Sequence, residues 1–212
     1  MTTPVTTRRA LLAAATALPV FALPKLPALA QEAAEGLPER ALDDLVMGDE
    51  NAPVTVIEYA AFTCGHCEAF HRDTFPTIKA EYIDTGKVKF VIREVYFQRY
   101  GLWASMVARC GGADAFHPVA EQLFKTRETW LRAEDVGAAI QRVGKLNGLS
   151  SKALNACLSD EGYARTLVER YQAGAEEHGV NSTPTFVVNG EVHRGNMPIA
   201  DFREILDEAL SA

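Results

Sequence analysis

The sequence has no internal repeat, no His- or Met-rich stretch and, beyond its first thirty residues, no low-complexity tract. Solenoids, fibres and chains that store metal on such stretches are excluded on that ground. It also lacks an apolar run long enough to span a bilayer. The run from Ala10 to Leu23 is fourteen weakly apolar residues, whereas a hydrocarbon core needs about twenty. Basic residues are scarce as well, with 21 Lys and Arg against 28 Asp and Glu. Nucleic acid and anionic lipid are poor partners for such a surface. Cysteine is limited to four residues, at 64, 67, 110 and 157.

The short apolar run is informative. Arg8-Arg9 precedes it and Ala28-Leu29-Ala30 follows it, the order of a basic region, an apolar region and a small-residue cleavage site. Residues 1–30 are therefore expected to be a signal peptide cleaved after Ala30, and the rest of the chain to work outside the cytoplasm, in the periplasm. Thr7 to Leu12 also resembles a twin-arginine signal, but the usual Phe after the arginine pair is missing, so twin-arginine and general secretion both stay open. Loss of Arg8, Arg9 and Lys25 leaves 18 basic against 28 acidic residues, a formal charge of −10. Four cysteines in an oxidising compartment make disulfides the default expectation.

Residues 31–44 read as a loose polar lead-in. Val54 to Tyr59 is a short β-rich run behind Asn51-Ala52-Pro53, and Val88 to Glu94 alternates as a second strand. Between them Cys67, Phe70, His71, Thr74 and Ile78 fall at helical spacing, with a kink expected at Pro76. From Tyr100 to His178 the pattern is helical, with breaks expected at Gly111-Gly112, Gly144 and Asn147-Gly148. Asn189-Gly190 between Thr185–Val188 and Glu191–His193 signals a type I′ hairpin. Phe202, Ile205, Leu206, Ala209 and Leu210 form a final apolar stripe opened by Pro198. The expectation is an α/β sheet core interrupted by an all-helical insertion.

Cys64-Gly65-His66-Cys67 sits where the first helix begins. Two cysteines three apart can close a disulfide without distorting a helix, and the first lies where unpaired backbone N–H groups stabilise its thiolate. An ordinary thiol is only about 3% ionised at pH 7, whereas lowering its pKa by about two units makes it mostly thiolate. His66, if charged, would push the same way. Cys64 is then the attacking sulfur and Cys67 the resolving one. A zinc site from Cys64, Cys67, His66 and His71 would want a second paired motif, which Cys110 and Cys157 do not supply. Haem attachment would need His after Cys67, where Glu68 stands. A purely structural disulfide is a further alternative for this pair.

Residues 45–212 resemble the DsbA family of thioredoxin-fold oxidoreductases, in Ala52-Pro53-Val54, in Glu58 six residues before Cys64, in the dithiol motif, in Thr183-Pro184 and in the helical insertion. The resemblance implies a thioredoxin-like fold built from 45–98 and 179–212, with 99–178 as the inserted helical subdomain. It implies a cis Pro184 facing the dithiol, Thr183 offering its backbone to substrate, and Glu58 as a buried acid relaying protons for Cys67. From its sequence alone Glu58 could equally be a solvated edge-strand carboxylate. The implied function is insertion of disulfides into reduced exported proteins, with no cofactor or metal and with reoxidation by a DsbB-type membrane quinone reductase. Gly65-His66 is the dipeptide of disulfide isomerases, whose centres are less oxidising, at about −180 mV against about −120 mV for the strongest oxidant. An isomerase or reductase therefore stays open, and more distantly a metal-binding or holdase module. Only the lead-in of about fifteen residues precedes the thioredoxin-like domain after cleavage, so a monomer is expected. Cys110 and Cys157, with 46 residues between them, are expected to form a structural disulfide, two buried free thiols being the alternative.

Overall fold

A computed structural model describes residues 41–212. The expected signal peptide, its cleavage after Ala30 and most of the lead-in lie outside these residues. Five strands form one mixed sheet: β1 (Val46–Met47), β2 (Val54–Ala60), β3 (Val88–Glu94), β4 (Thr185–Val188) and β5 (Glu191–Arg194). Their order is β1-β3-β2-β4-β5. β2 and β3 run parallel, while β4 lies antiparallel to β2 and β5 antiparallel to β4. The crossover from β2 to β3 carries α1 (Gly65–Asp73), α2 (Phe75–Ile78) and a π-turn (Lys79–Ile83). Pro76 lies in the first turn of α2, where its missing N–H costs nothing, and the helix breaks at Thr74, in the turn before the proline.

The helical block follows β3 as α3 (Arg99–Arg109), α4 (Gly112–Lys125), α5 (Arg127–Leu131), α6 (Val136–Leu146), α7 (Ser151–Leu158) and α8 (Glu161–Glu177), and α9 (Ile199–Ser211) closes the chain. Asp135, Ser150 and Asp160 cap α6, α7 and α8 through their side-chain oxygens, satisfying backbone donors that have no partner within the helix. The hairpin turns through Asn189 and Gly190, both at positive φ. Gly144 departs from expectation. It lies inside α6, where an added Cβ would come within 2.9 Å of both Leu154 and Val107. The glycine is there for close helix packing, not to end a helix.

One apolar cluster runs through both parts of the chain. Val56, Phe62, Phe70 and Phe90 from the sheet side join Val107, Phe116, Phe124, Ile140 and Leu154 from the helices, with Phe202 and Leu206 of α9. Residues 41–44, expected to be loose, are strapped down. The Arg109 guanidinium donates to the carbonyls of Ala41 and Asp43, and Arg93 holds the Asp44 carboxylate. Arg109 is itself paired twice with buried Glu94, at 2.6 and 2.7 Å. That burial is tolerable only because the charges and donors are matched.

Candidate active site around Cys64 and Cys67

β2 is the middle strand, and the chain leaves it through Ala61-Phe62-Thr63 to reach Cys64. Cys64 is the extended N-cap residue of α1, and its own N–H is taken by the Ala61 carbonyl at 2.9 Å. Its sulfur therefore sits over the open first turn of the helix. Cys67, one turn further in, is fully buried. Both cysteines are free thiols.

The sheet topology supplies the facing wall. Because Tyr59 pairs with Thr185 in antiparallel register, the residues just before β4 lie beside the residues just after β2. Thr183 and Pro184, joined by a cis peptide bond and buried, thus meet the dithiol, with the Cys64 sulfur 3.5 Å from the Thr183 carbonyl oxygen. Those residues are 119 apart in sequence, and only the strand register brings them together.

The two sulfurs are electrostatically unequal. The Cys64 thiol is held down to about 5, first by a hydrogen bond from the Cys67 thiol, then by the Thr183 side chain and the backbone N–H groups of Cys67 and His66, against the opposing effect of burial. The Cys67 thiol is pushed far up by the same hydrogen bond, by burial and by the charge of Glu58. One sulfur is a ready nucleophile and the other a reluctant one. What His66 presents to Cys64 is its backbone N–H; its side chain is exposed.

Glu58 is completely buried on β2, opposite Ile92 and Phe186. The edge-strand alternative is thereby removed. Its Oε2 lies 2.8 Å from Nε2 of His71, and its Oε1 has no hydrogen-bond partner. His71 stacks on Phe124 with centroids 3.9 Å apart and planes 10° from parallel. The pairing of His71 with Glu58 goes beyond the expectations from sequence. The available signal was the position of His71 four residues after Cys67, on the same helix face.

Arg127 is a second such residue. From the start of α5 it donates to the Thr63 carbonyl at 2.9 Å and to the Glu68 carboxylate at 3.0 Å, tying the helical block to the residue before Cys64. No sequence signal marks it, because the contact spans 64 residues. Cys110 and Cys157 are joined, linking the end of α3 to α7. Among the described residues no group of three or more His, Cys, Asp or Glu comes together that could hold a metal ion.

The sequence matches the profile of the family described as Thioredoxin over residues 40–208. It is 31% identical over 169 residues to a putative protein-disulfide oxidoreductase of Rickettsia typhi, covering 79% of this chain and 62% of that protein. It is 28% identical over 173 residues to disulfide bond formation protein D of Bacillus subtilis, covering 78% and 76%. The chain spans about three fifths of the length of the rickettsial relatives it matches. Among solved structures, alpha-DsbA1 of Wolbachia pipientis superposes with a TM-score of 0.74 at 28% identity, over 84% of this chain and 96% of that one. Oxidised BdbD of Bacillus subtilis does so at 0.72 and 25% identity, over 83% and 98%.

Proposed function

This chain belongs to the thioredoxin family, with DsbA proteins as its structural kin, and from that premise we propose that it is a periplasmic oxidoreductase that gives its Cys64–Cys67 disulfide to exported proteins. The observation that carries this reading is the inequality of the two sulfurs, with Cys64 held down to about 5 and Cys67 pushed far up. A thiolate stabilised in the reduced form makes the disulfide form an oxidant.

In the forward direction a substrate thiolate attacks Cys64, the Cys64–Cys67 bond breaks, and Cys67 leaves as a thiolate that takes up a proton. The substrate's second thiolate then attacks its own sulfur in the mixed disulfide. Cys64 departs as a thiolate, which is a good leaving group because of its low pKa. The enzyme has gained two electrons and the substrate one disulfide. Thr183, with its carbonyl at the Cys64 sulfur, offers backbone to an extended substrate, and Pro184 shapes the wall beside it. Glu58 serves Cys67 as its buried acid. Reoxidation falls to a membrane quinone reductase of DsbB type, and the protein acts as a monomer exported by the segment 1–30. We take 45–98 and 179–212 as the thioredoxin-like domain and 99–178 as the inserted subdomain, stapled by Cys110–Cys157.

The test is oxidation of a reduced peptide carrying two thiols. The wild-type disulfide form should oxidise it stoichiometrically and Cys64→Ala should not. Undiminished activity in Cys64→Ala, or a Cys64/Cys67 pair found reduced in the periplasm of growing cells, would overturn the oxidase reading.

A further inference from the structure

Glu58 cannot exchange protons with solvent by itself, since none of its side-chain surface reaches water, whereas His71 keeps 6% of its own. Cys67, which feels the charge of Glu58, is also buried without exposure. Whichever way electrons flow, Cys67 must gain a proton when its disulfide opens and lose one before it attacks. A proton carrier with no outlet works once and stops.

We propose that His71 is a positioning residue that holds Glu58 and connects it to solvent, making Glu58–His71 a two-step proton path for Cys67. The inference rests on the dithiol chemistry proposed above. When the disulfide opens, Glu58 gives its proton to the Cys67 thiolate. The His71 ring takes a proton from solvent at its exposed edge as it passes its Nε2 proton to the Glu58 carboxylate across 2.8 Å. When Cys67 attacks, each transfer runs in reverse, so no proton is created or lost.

The geometry favours this role over plain packing. The Glu58 oxygen not held by His71 has no hydrogen-bond partner, and the charge of Glu58 is felt at Cys67. An unpaired oxygen in an apolar core is costly, and a functional role accounts for its retention. The His71 ring is fixed from three sides by Phe70, Phe75 and Phe124, at centroid distances of 5.3, 4.9 and 3.9 Å, so its nitrogen stays aimed at Glu58. The groups facing the pair from the neighbouring elements are Ile92 of β3, Phe186 of β4 and Phe124 of α4. None of these titrates, which leaves Cys67 and Cys64 as the ionisable partners.

The test uses oxidised glutathione as the disulfide, which reads the dithiol whatever its natural substrate. Reduced enzyme is mixed with it and quenched with acid, and mass spectrometry follows first the Cys64–glutathione adduct, then its resolution by Cys67. His71→Gln keeps a hydrogen-bond donor to Glu58 but cannot pass a proton, and His71→Phe keeps the stack on Phe124. Both should leave adduct formation unchanged and slow resolution about ten- to a hundredfold near pH 7. The pH profile of resolution should move to the alkaline side, and added imidazole should restore rate in His71→Ala. Wild-type resolution in His71→Gln, with no effect of imidazole on His71→Ala, would overturn the path. Normal glutathione resolution through His71 alongside failure to oxidise a peptide would instead overturn the proposed function and leave His71's role standing.

Discussion

Cys64 owes its low pKa first to Cys67 of its own motif, and in part to a neighbour that the motif does not contain. The Cys67 thiol and the helix N–H groups are local, but the Thr183 side chain arrives from 119 residues away. The rate of Cys64 alkylation by iodoacetamide in the reduced protein should therefore show a midpoint near 5. Thr183→Val keeps the shape and the carbonyl contact but removes the hydroxyl. Its midpoint should rise by about one pH unit, the scale of one hydrogen bond to a charged group. An unchanged midpoint would assign the effect to the helix and Cys67 alone.

Gly144 decides how two helices meet. Its position in α6 brings the backbone against Val107 of α3 and Leu154 of α7, beside the Cys110–Cys157 staple. Gly144→Ala would gain about 1 kcal/mol in helix propensity and lose about 1–3 kcal/mol to overpacking, since the new Cβ meets two core side chains at 2.9 Å. Overpacking is the larger effect, so the variant should unfold at lower denaturant with an unchanged slope. A midpoint at or above wild type would mean that α6 and α7 can move apart freely. Arg127 works at the same scale, joining α5 to the loop ahead of Cys64.

The whole molecule couples its redox centre to its stability. Cys64 in the reduced protein is depressed to about 5, so relative to an ordinary thiol near 8.5 its contribution is full above about 8.5 and is lost as pH falls toward 5. Cys67 is raised, so its contribution is full below about 8.5 and is lost as pH rises beyond that. Stability of the reduced protein, measured by urea unfolding against the Cys64→Ser/Cys67→Ser double variant, should rise from pH 5 and be greatest near 8.5. A difference flat across that range would mean that the thiolate is not stabilised by the fold. The shared apolar cluster between sheet and helical block predicts that both parts report the same transition.

Four of the five strands, the hairpin at Asn189-Gly190, the last helix and the dithiol were legible from the sequence, because hydrophobic period, turn chemistry and a helix-start cysteine pair are all local signals; β1 (Val46–Met47) was not. The residues 58, 183 and 184 could be nominated only through family likeness. Their burial and their meeting with the dithiol depend on β4 lying antiparallel beside β2, a pairing across more than a hundred residues. The His71–Glu58 bond, the Arg127 anchor, the Arg109–Glu94 pair that straps residues 41–44 and the packing role of Gly144 were decided by tertiary structure alone. In each, the partners come from different elements, and no spacing within one element encodes which faces will touch.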